Sequence, residues 1–350
     1  MEVNIHILKQ EVNMKEILKI VLVIIGALIG AGFASGQEIY SFFYKYGSIG
    51  ILGIIITCCL ITVMIYKTLN IISKNNIYSY EDFLRIFIKN NKIVRITNSI
   101  LNILLLITFY IMIAGFGAYF EQELGISKII GSIILSILCF IVFLSSVKGV
   151  LKVSEYIVPI LIIFILIIGI INFGSLSHSY KILPTSKTGW LLSSITYCSY
   201  NIILLIPVLI SLKEHITKRK NIIYISVISG IIMLILSVII YFLLLKSDVM
   251  MSTLEMPIVY IIRKFYTQFQ KIYAFIILSS IFTTAISIGI GFLQNIAQNK
   301  KSYTQFVVFM CITSVIFSNI GFSKLVNIVY PIFGYIGIIQ IIKIIKIGKT

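Results

Sequence analysis

The sequence predicts an all-α, polytopic membrane protein of about ten transmembrane helices, and three observations carry that expectation. The 350 residues are 59% hydrophobic and 12% charged, with a mean hydropathy of +1.06, which is more apolar surface than a soluble core of this size buries. Apolar runs of about 20 residues, enough to cross roughly 30 Å of hydrocarbon as a helix, recur from Ile17 to the C-terminus. The charged residues fall mainly in the short breaks between those runs. The bilayer is therefore the solvent, and no stretch remains for a soluble catalytic domain.

Taken in order, the runs give spans at 17–44, 48–69, 96–120, 128–147 and 152–173, then at 189–212, 221–245, 271–298, 303–321 and 325–346. Lys15, Lys19, an apolar stretch and the small residues Ala31 to Gly36 imitate a signal peptide with its cleavage site. Apolar character resumes at Ile39, Phe42 and Phe43, so a full first span is expected instead. Ten spans put both termini on one side. Lys and Arg favour the segments on that side by about two to one, which places both termini in the cytoplasm. The net charge of +17 thus reads as topology and lipid contact; no basic module or stacking platform accompanies it, so a nucleic-acid partner is not expected. Ile, Lys and Asn in preference to Leu, Arg and Gln suit an AT-rich bacterial genome, hence a bacterial cytoplasmic membrane.

Two loops carry structure of their own. Ser79 followed by Asp82 reads as a capping box that opens a short cytoplasmic helix running to Lys89, or else as a simple connector. Residues 248–265, with Met256-Pro257 ahead of Ile258, Val259, Ile261 and Ile262, predict a short amphipathic helix outside, a candidate lid over an external vestibule.

The first span holds Gly26 and then Gly30-Ala31-Gly32-Phe33-Ala34-Ser35-Gly36-Gln37-Glu38. So many glycines in mid-membrane predict a broken helix, whose unpaired backbone is tolerated only where it lines a cavity or is buried in protein. Tight helix packing through Gly26, Gly30 and Ser35 is the other reading. Glu38 is the most deeply placed acid: either a gate or proton-linked site, or an interfacial Glu paired with Lys45. In the sixth span Tyr197-Cys198-Ser199-Tyr200-Asn201 interrupts the apolar run at a comparable depth. Paired interruptions in the first helix of each half predict a 5+5 inverted repeat, residues 17–173 and 189–346, with broken first and sixth helices around a midplane site. In the eighth span Ser280, Thr283, Thr284 and Ser287 share one helix face, a hard-oxygen surface suited to Na⁺ or a strip of interhelical hydrogen bonds. Tyr110, Gly115 and Gly117 of the third span are candidates to complete the pocket.

Absences narrow the function. No phosphate-binding Gly-Lys loop is present, so the chain itself is not expected to use ATP. His6, His178 and His215 all fall outside the spans, and Cys58, Cys59, Cys139, Cys198 and Cys311 lie inside apolar runs without metal-site spacing. Neither an enzyme nor a resident cofactor is expected.

The run from Gly30 to Glu38, supported by Ser199-Tyr200-Asn201, resembles the first-helix signature of the YkvI-type bacterial membrane proteins. That group is regarded as amino acid permeases related to the amino acid, polyamine and organocation transporters. The resemblance covers essentially the whole chain and implies the leucine-transporter fold, in which the broken first and sixth helices cradle the solute. It places a substrate site at the two interruptions, Gly30, Gly32, Phe33, Ala34, Ser35 and Gly36 with Cys198, Ser199, Tyr200 and Asn201, which Tyr110 is positioned to complete; helix-end N–H groups near Ala34 to Gly36 and Ser199 to Asn201 are expected to hold a substrate carboxylate. It also implies a sodium site made by the carbonyls of Gly26 and Ile29 with Ser280, Thr283 and Thr284. The fifth span lacks the central Lys that replaces this ion in some proton-coupled relatives, which leans toward Na⁺ over H⁺ coupling.

Overall fold

The computed structural model describes residues 14–144, 148–174, 188–213, 219–246, 253–297 and 299–347; His6, His178, His215 and residues 248–252 of the expected lid segment lie outside them. The first span is three pieces, α1 (Met14–Leu28), α2 (Ala31–Ala34) and α3 (Gln37–Phe42). Then come α4 (Ile49–Lys74), the short α5 (Tyr80–Phe87), α6 (Asn91–Leu124), α7 (Lys128–Leu144) and α8 (Lys148–Gly174). After these follow α9 (Trp190–Ser211), α10 (Arg219–Leu244), the short α11 (Pro257–Phe265), α12 (Gln270–Ile296), α13 (Lys300–Ser318) and α14 (Phe322–Ile347).

Among the described residues, eight helices are long and apolar enough to cross a membrane: α4, α6, α8, α9, α10, α12, α13 and α14. α7, a shorter apolar helix of 17 residues, and the interrupted first span stand at the places of the other two expected crossings. This is an all-α, multi-pass membrane protein. The third span is longer than its apolar run, 34 residues against 96–120, because polar caps rather than apolar content set its ends. Asn90 accepts from the Lys92 N–H at 2.9 Å, and Gly125 turns left-handed at φ 65° so that the Ile126 N–H closes on the Phe120 carbonyl at 3.1 Å.

Burial ranks the helices. The apolar stretches of α9 and α6 are 78% and 72% buried, against 28% for α13, so α6 and α9 are central and α13 is peripheral. Outward faces carry Ile170, Phe275 and Ile316, the arrangement expected where lipid is the solvent. The main packing pairs repeat at an offset of five spans. α9 packs on α14 and α4, as α1 packs on α8 and α10. α6 packs on α7 and α13, as α12 packs on α13 and α7, while the pairs α4–α10 and α6–α12 map onto themselves. The short helices follow the same rule, α5 lying on α6 and α11 on α12.

The sixth helix corrects the sequence reading: α9 runs unbroken through Tyr197–Asn201. Its polar groups are satisfied along their own helix, Thr196 donating to Leu192 O at 2.6 Å, Ser199 to Ile195 O at 2.7 Å and Asn201 to Tyr197 O at 2.9 Å. Polar side chains that bond back four residues do not need a break, and no glycine lies between Trp190 and Ser211 to provide one. Ser199 instead sits at the crossing with α14, its carbonyl carbon 2.9 Å from where a Cβ on Gly337 would lie.

Candidate functional site

The break in the first span begins where α1 makes its last helical bond, Ile29 N–H to Ile25 O at 2.8 Å. Gly30 is extended, and the ladder resumes only with the Ala34 N–H on Gly30 O at 3.0 Å. The carbonyls of Gly26, Ala27, Leu28 and Ile29 therefore lie past the α1 ladder. A second turn follows at Ser35–Gly36, where Gly36 takes φ 81°, a left-handed value that disfavours any residue with a Cβ. Ser35 stitches the turn, donating to Gly32 O at 3.1 Å and accepting from the Gln37 N–H at 3.3 Å.

This double turn folds Glu38 back against α2. Its carboxylate accepts from the Tyr197 hydroxyl at 3.0 Å and from the Tyr200 hydroxyl, both on α9, and the Phe33 backbone N–H faces the same group. Gly32 makes the room: a Cβ there would lie 2.8 Å from Glu38 Cγ and 2.9 Å from Cδ. Around the carboxylate stand aromatic rings, Phe42 centred 5.0 Å from Tyr197 and 5.8 Å from Tyr200, with Tyr330 of α14 stacked on Tyr200 at 4.6 Å. Glu38 is 2% exposed. The pairing with Lys45 is not formed; that amino group lies over the Tyr46 ring at 5.2 Å.

Ser35 also joins the hinge to α11. Its carbonyl accepts from the Ile258 N–H at 2.9 Å, and Ile258 covers Gly36. The residue before that helix, Met256, is clamped by one side chain: Gln122 of α6 accepts from the Met256 N–H at 2.9 Å and donates to its carbonyl at 3.1 Å. Glu255 accepts from the Ser323 N–H at the start of α14 at 2.5 Å. The expected outer amphipathic helix is therefore present and seated on the hinge. On the other loop Ser79 caps α5 by accepting from the Asp82 N–H at 3.0 Å, and the helix ends at Phe87.

The expected site residues divide. Gly30, Gly32, Phe33, Ala34, Ser35, Gly36, Glu38 and Tyr200 come together at the hinge. Thr284 approaches it, its methyl 3.9 Å from where a Cβ on Gly30 would stand, and Ser280 and Thr283 are buried on the same helix. Gly26 faces α8, where a Cβ would lie 2.8 Å from Val158, and Ile29 is buried beside the break. Tyr110 turns the other way, bonded to Thr313 of α13 at 2.6 Å and stacked on Phe317 at 5.0 Å. Gly115 faces Ala31 and Phe322, while Gly117 packs on α7. Ser199 and Asn201 are spent on their own helix, and Cys198 is buried on α9 without contact to the hinge among the hydrogen bonds described.

Three participants escape the sequence reading: Tyr273, whose hydroxyl donates to Ala34 O, and Asn327 and Tyr330 of α14. Tyr273 precedes Ser280 by seven positions, so it extends the hydroxyl face of α12, a spacing visible in the sequence. Asn327 accepts from Ser41 of α3 and carries no such signal. Among the described residues no group of three His, Cys, Asp or Glu is placed to hold a metal ion. A cavity of about 360 Å³ lies away from the hinge, between the ends of α12 and α13 at Leu293, Lys300 and Tyr303.

No family model matches the sequence. The chain is 32% identical over 330 residues to the membrane protein YkvI of Bacillus subtilis, covering 91% of this chain and 92% of the relative. It is 27% identical over 322 residues to the protein YyaD of the same organism, with the same coverage. Among solved structures it is similar to a histidine-to-alanine mutant of the Eremococcus coleocola manganese transporter, with a TM-score of 0.59, 13% identity and coverage of 94% of this chain and 78% of that one.

Proposed function

The chain belongs to the family of the membrane protein YkvI, and from that premise we propose that it is a secondary active transporter that carries a small solute past the hinge in its first helix. The observation that carries the proposal is the hinge itself: the α1 ladder ends at Gly30, a second turn follows at Ser35–Gly36, and Glu38 is folded against both and bonded across to α9. Unpaired backbone inside an apolar span is tolerated only where it is buried in protein or lines a cavity, and here it is buried beside a carboxylate, an arrangement that suits a solute site. The fold shared with a transporter supports the reading, and so does the five-span repeat in packing, which suits a division into 17–173 and 189–346.

The solute in this reading is an amino acid or a similar small amino compound. Coupling to Na⁺ draws support from α12, where Ser280 and Thr283 are buried and the Thr284 methyl lies 3.9 Å from where a Cβ on Gly30 would stand, on a helix that packs on α2. A second reading, coupling to H⁺ through Glu38, is favoured by a specific observation: no Lys or Arg pairs with that carboxylate among the described residues. Manganese, the cargo in the structural neighbour's name, finds no cluster of His, Cys, Asp and Glu here among the described residues. Because α9 is continuous, the N–H groups of Ser199–Asn201 are not offered to a substrate carboxylate.

The test is thermal stability of the detergent-purified protein across a panel of amino acids and amines, each in sodium and in potassium salts. A ligand raises the melting point only if it prefers the folded state. Stabilisation by an amino compound supports the reading, and a sodium requirement assigns the ion to Gly26, Ile29, Ser280, Thr283 and Thr284. Stabilisation in both salts assigns coupling to Glu38, and a panel without a single hit contradicts the amino-compound reading.

A further inference from the structure

We propose that Glu38 is the counter-ion for an ammonium group on the transported solute, and that its carboxyl releases a proton as that group arrives. The proposal rests on the transport reading and adds the chemistry of recognition to it.

The groups that face Glu38 come from three elements: the hydroxyls of Tyr197 and Tyr200 on α9, the Phe33 N–H on α2, and Tyr330 on α14 behind Tyr200. All of these are neutral donors or rings. The cations of neighbouring elements are engaged or turned away. Lys45 lies over Tyr46, Lys246 at the end of α10 contacts Tyr266 at 2.9 Å, and Lys324 in the first turn of α14 is exposed. The described ion pairs join Arg85 with Glu81 on α5 and Arg263 of α11 with Glu123 of α6, so each of these arginines is engaged by another carboxylate. A carboxylate sealed among helices is costly unless a cation pairs with it, a proton neutralises it or water solvates it. Among the described residues no cation is paired with it, so the balancing charge comes from outside as a proton or as a cation.

The lining favours an organic cation over a metal ion. Tyr200 is stacked between Phe42 and Tyr330, so the rings turn their hydroxyls and edges to the carboxylate and wall it with apolar carbon, which suits a small ammonium group. A divalent metal ion asks instead for about six oxygen ligands, which one carboxylate and two phenols do not provide. An anionic group finds no cation here to pair with among the described residues. The exchange balances simply: the carboxyl O–H bond breaks, the proton leaves to the water on the side to which the hinge is open, and the ammonium N–H bonds the carboxylate oxygen. When the solute departs a proton returns, so each cycle trades one cationic group for one proton at this residue.

The experiment is titration calorimetry on the full-length detergent-purified protein in two buffers of different ionisation heat, which counts protons released per ligand bound. The probes are ethylammonium, lysine, alanine and acetate, with wild type, Glu38→Gln and Glu38→Asp compared after size-exclusion and melting checks. The expected result is binding of the ammonium-bearing probes with release of about one proton, and no binding of acetate. In Glu38→Gln affinity falls by about 100-fold or more, the range seen when one partner of a buried charge pair is removed, and proton release disappears. Glu38→Asp, which keeps the charge with a shorter reach, retains proton release at weaker affinity. Ammonium probes that bind without proton release, that bind Glu38→Gln as well as wild type, or that fail to bind at all overturn the proposal. Flux of the same probes into proteoliposomes separates the two levels. Saturable uptake that is equal in wild type and Glu38→Gln removes the counter-ion and leaves the transporter, whereas no uptake of any probe by wild type counts against the transport reading itself.

Discussion

Gly32 and Glu38 form a pair that neither residue explains alone. The glycine has no side chain because the carboxylate of a residue six positions later occupies that space. Gly32→Ala therefore pushes Glu38 off Tyr197 and Tyr200, and the expected outcome is loss of uptake in a protein that still inserts and elutes as wild type. A milder series lies on the tyrosines. Tyr197→Phe and Tyr200→Phe each remove one donor to the carboxylate, at about 1–3 kcal/mol, so thermal melting of each falls and the double variant falls further. Glu38 was legible in the sequence because a carboxylate inside an apolar run is rare. Its partners are less so: Tyr197 and Tyr200 stand three positions apart on one helix face, but nothing in the Tyr197–Asn201 polar patch tells which of its side chains meets the carboxylate. Tyr110 misled because a tyrosine in a glycine-rich span fits a pocket and a helix interface equally well, and here it bonds Thr313.

Helix breakage followed backbone chemistry and not polarity. The first span breaks where Gly30 and Gly36 permit extended and left-handed backbone, while the equally polar Tyr197–Asn201 stretch stays helical because its Thr, Ser and Asn bond back along α9. The two short helices were legible from a cap and from a Met-Pro pair followed by apolar residues, yet nothing local announced that α11 docks on the hinge. That docking hangs on Gln122, which mimics a strand neighbour by making both backbone bonds of Met256. Gln122→Ala removes both, about 1 kcal/mol for each bond in a half-buried setting. The expected result is faster amide hydrogen exchange at Met256 and Ile258 with little change in the centre of α9; unchanged exchange at both positions contradicts the clamp.

At the scale of the whole molecule, the all-α, multi-pass architecture was legible from apolar runs, eight of which form helices long and apolar enough to cross a membrane among the described residues, although capping residues moved their ends, most of all in α6. A 5+5 repeat is expected from paired interruptions of the first and sixth spans, yet only the first is a break; the packing order that recurs every five spans is visible in contacts alone, since the halves share no evident sequence pattern. Positive charge favours the side that holds both termini, so reporter fusions at Thr350 are expected to report the cytoplasm and fusions after α11 the exterior. The description as a whole stands on the hinge as the solute site. It is tested most directly by solute counterflow in proteoliposomes, using whichever amino compound stabilises the purified protein, with wild type beside Glu38→Gln and Gly32→Ala. The account predicts saturable counterflow in wild type and its loss in both variants despite normal reconstitution. Counterflow at the wild-type rate in both would place the solute elsewhere in the protein.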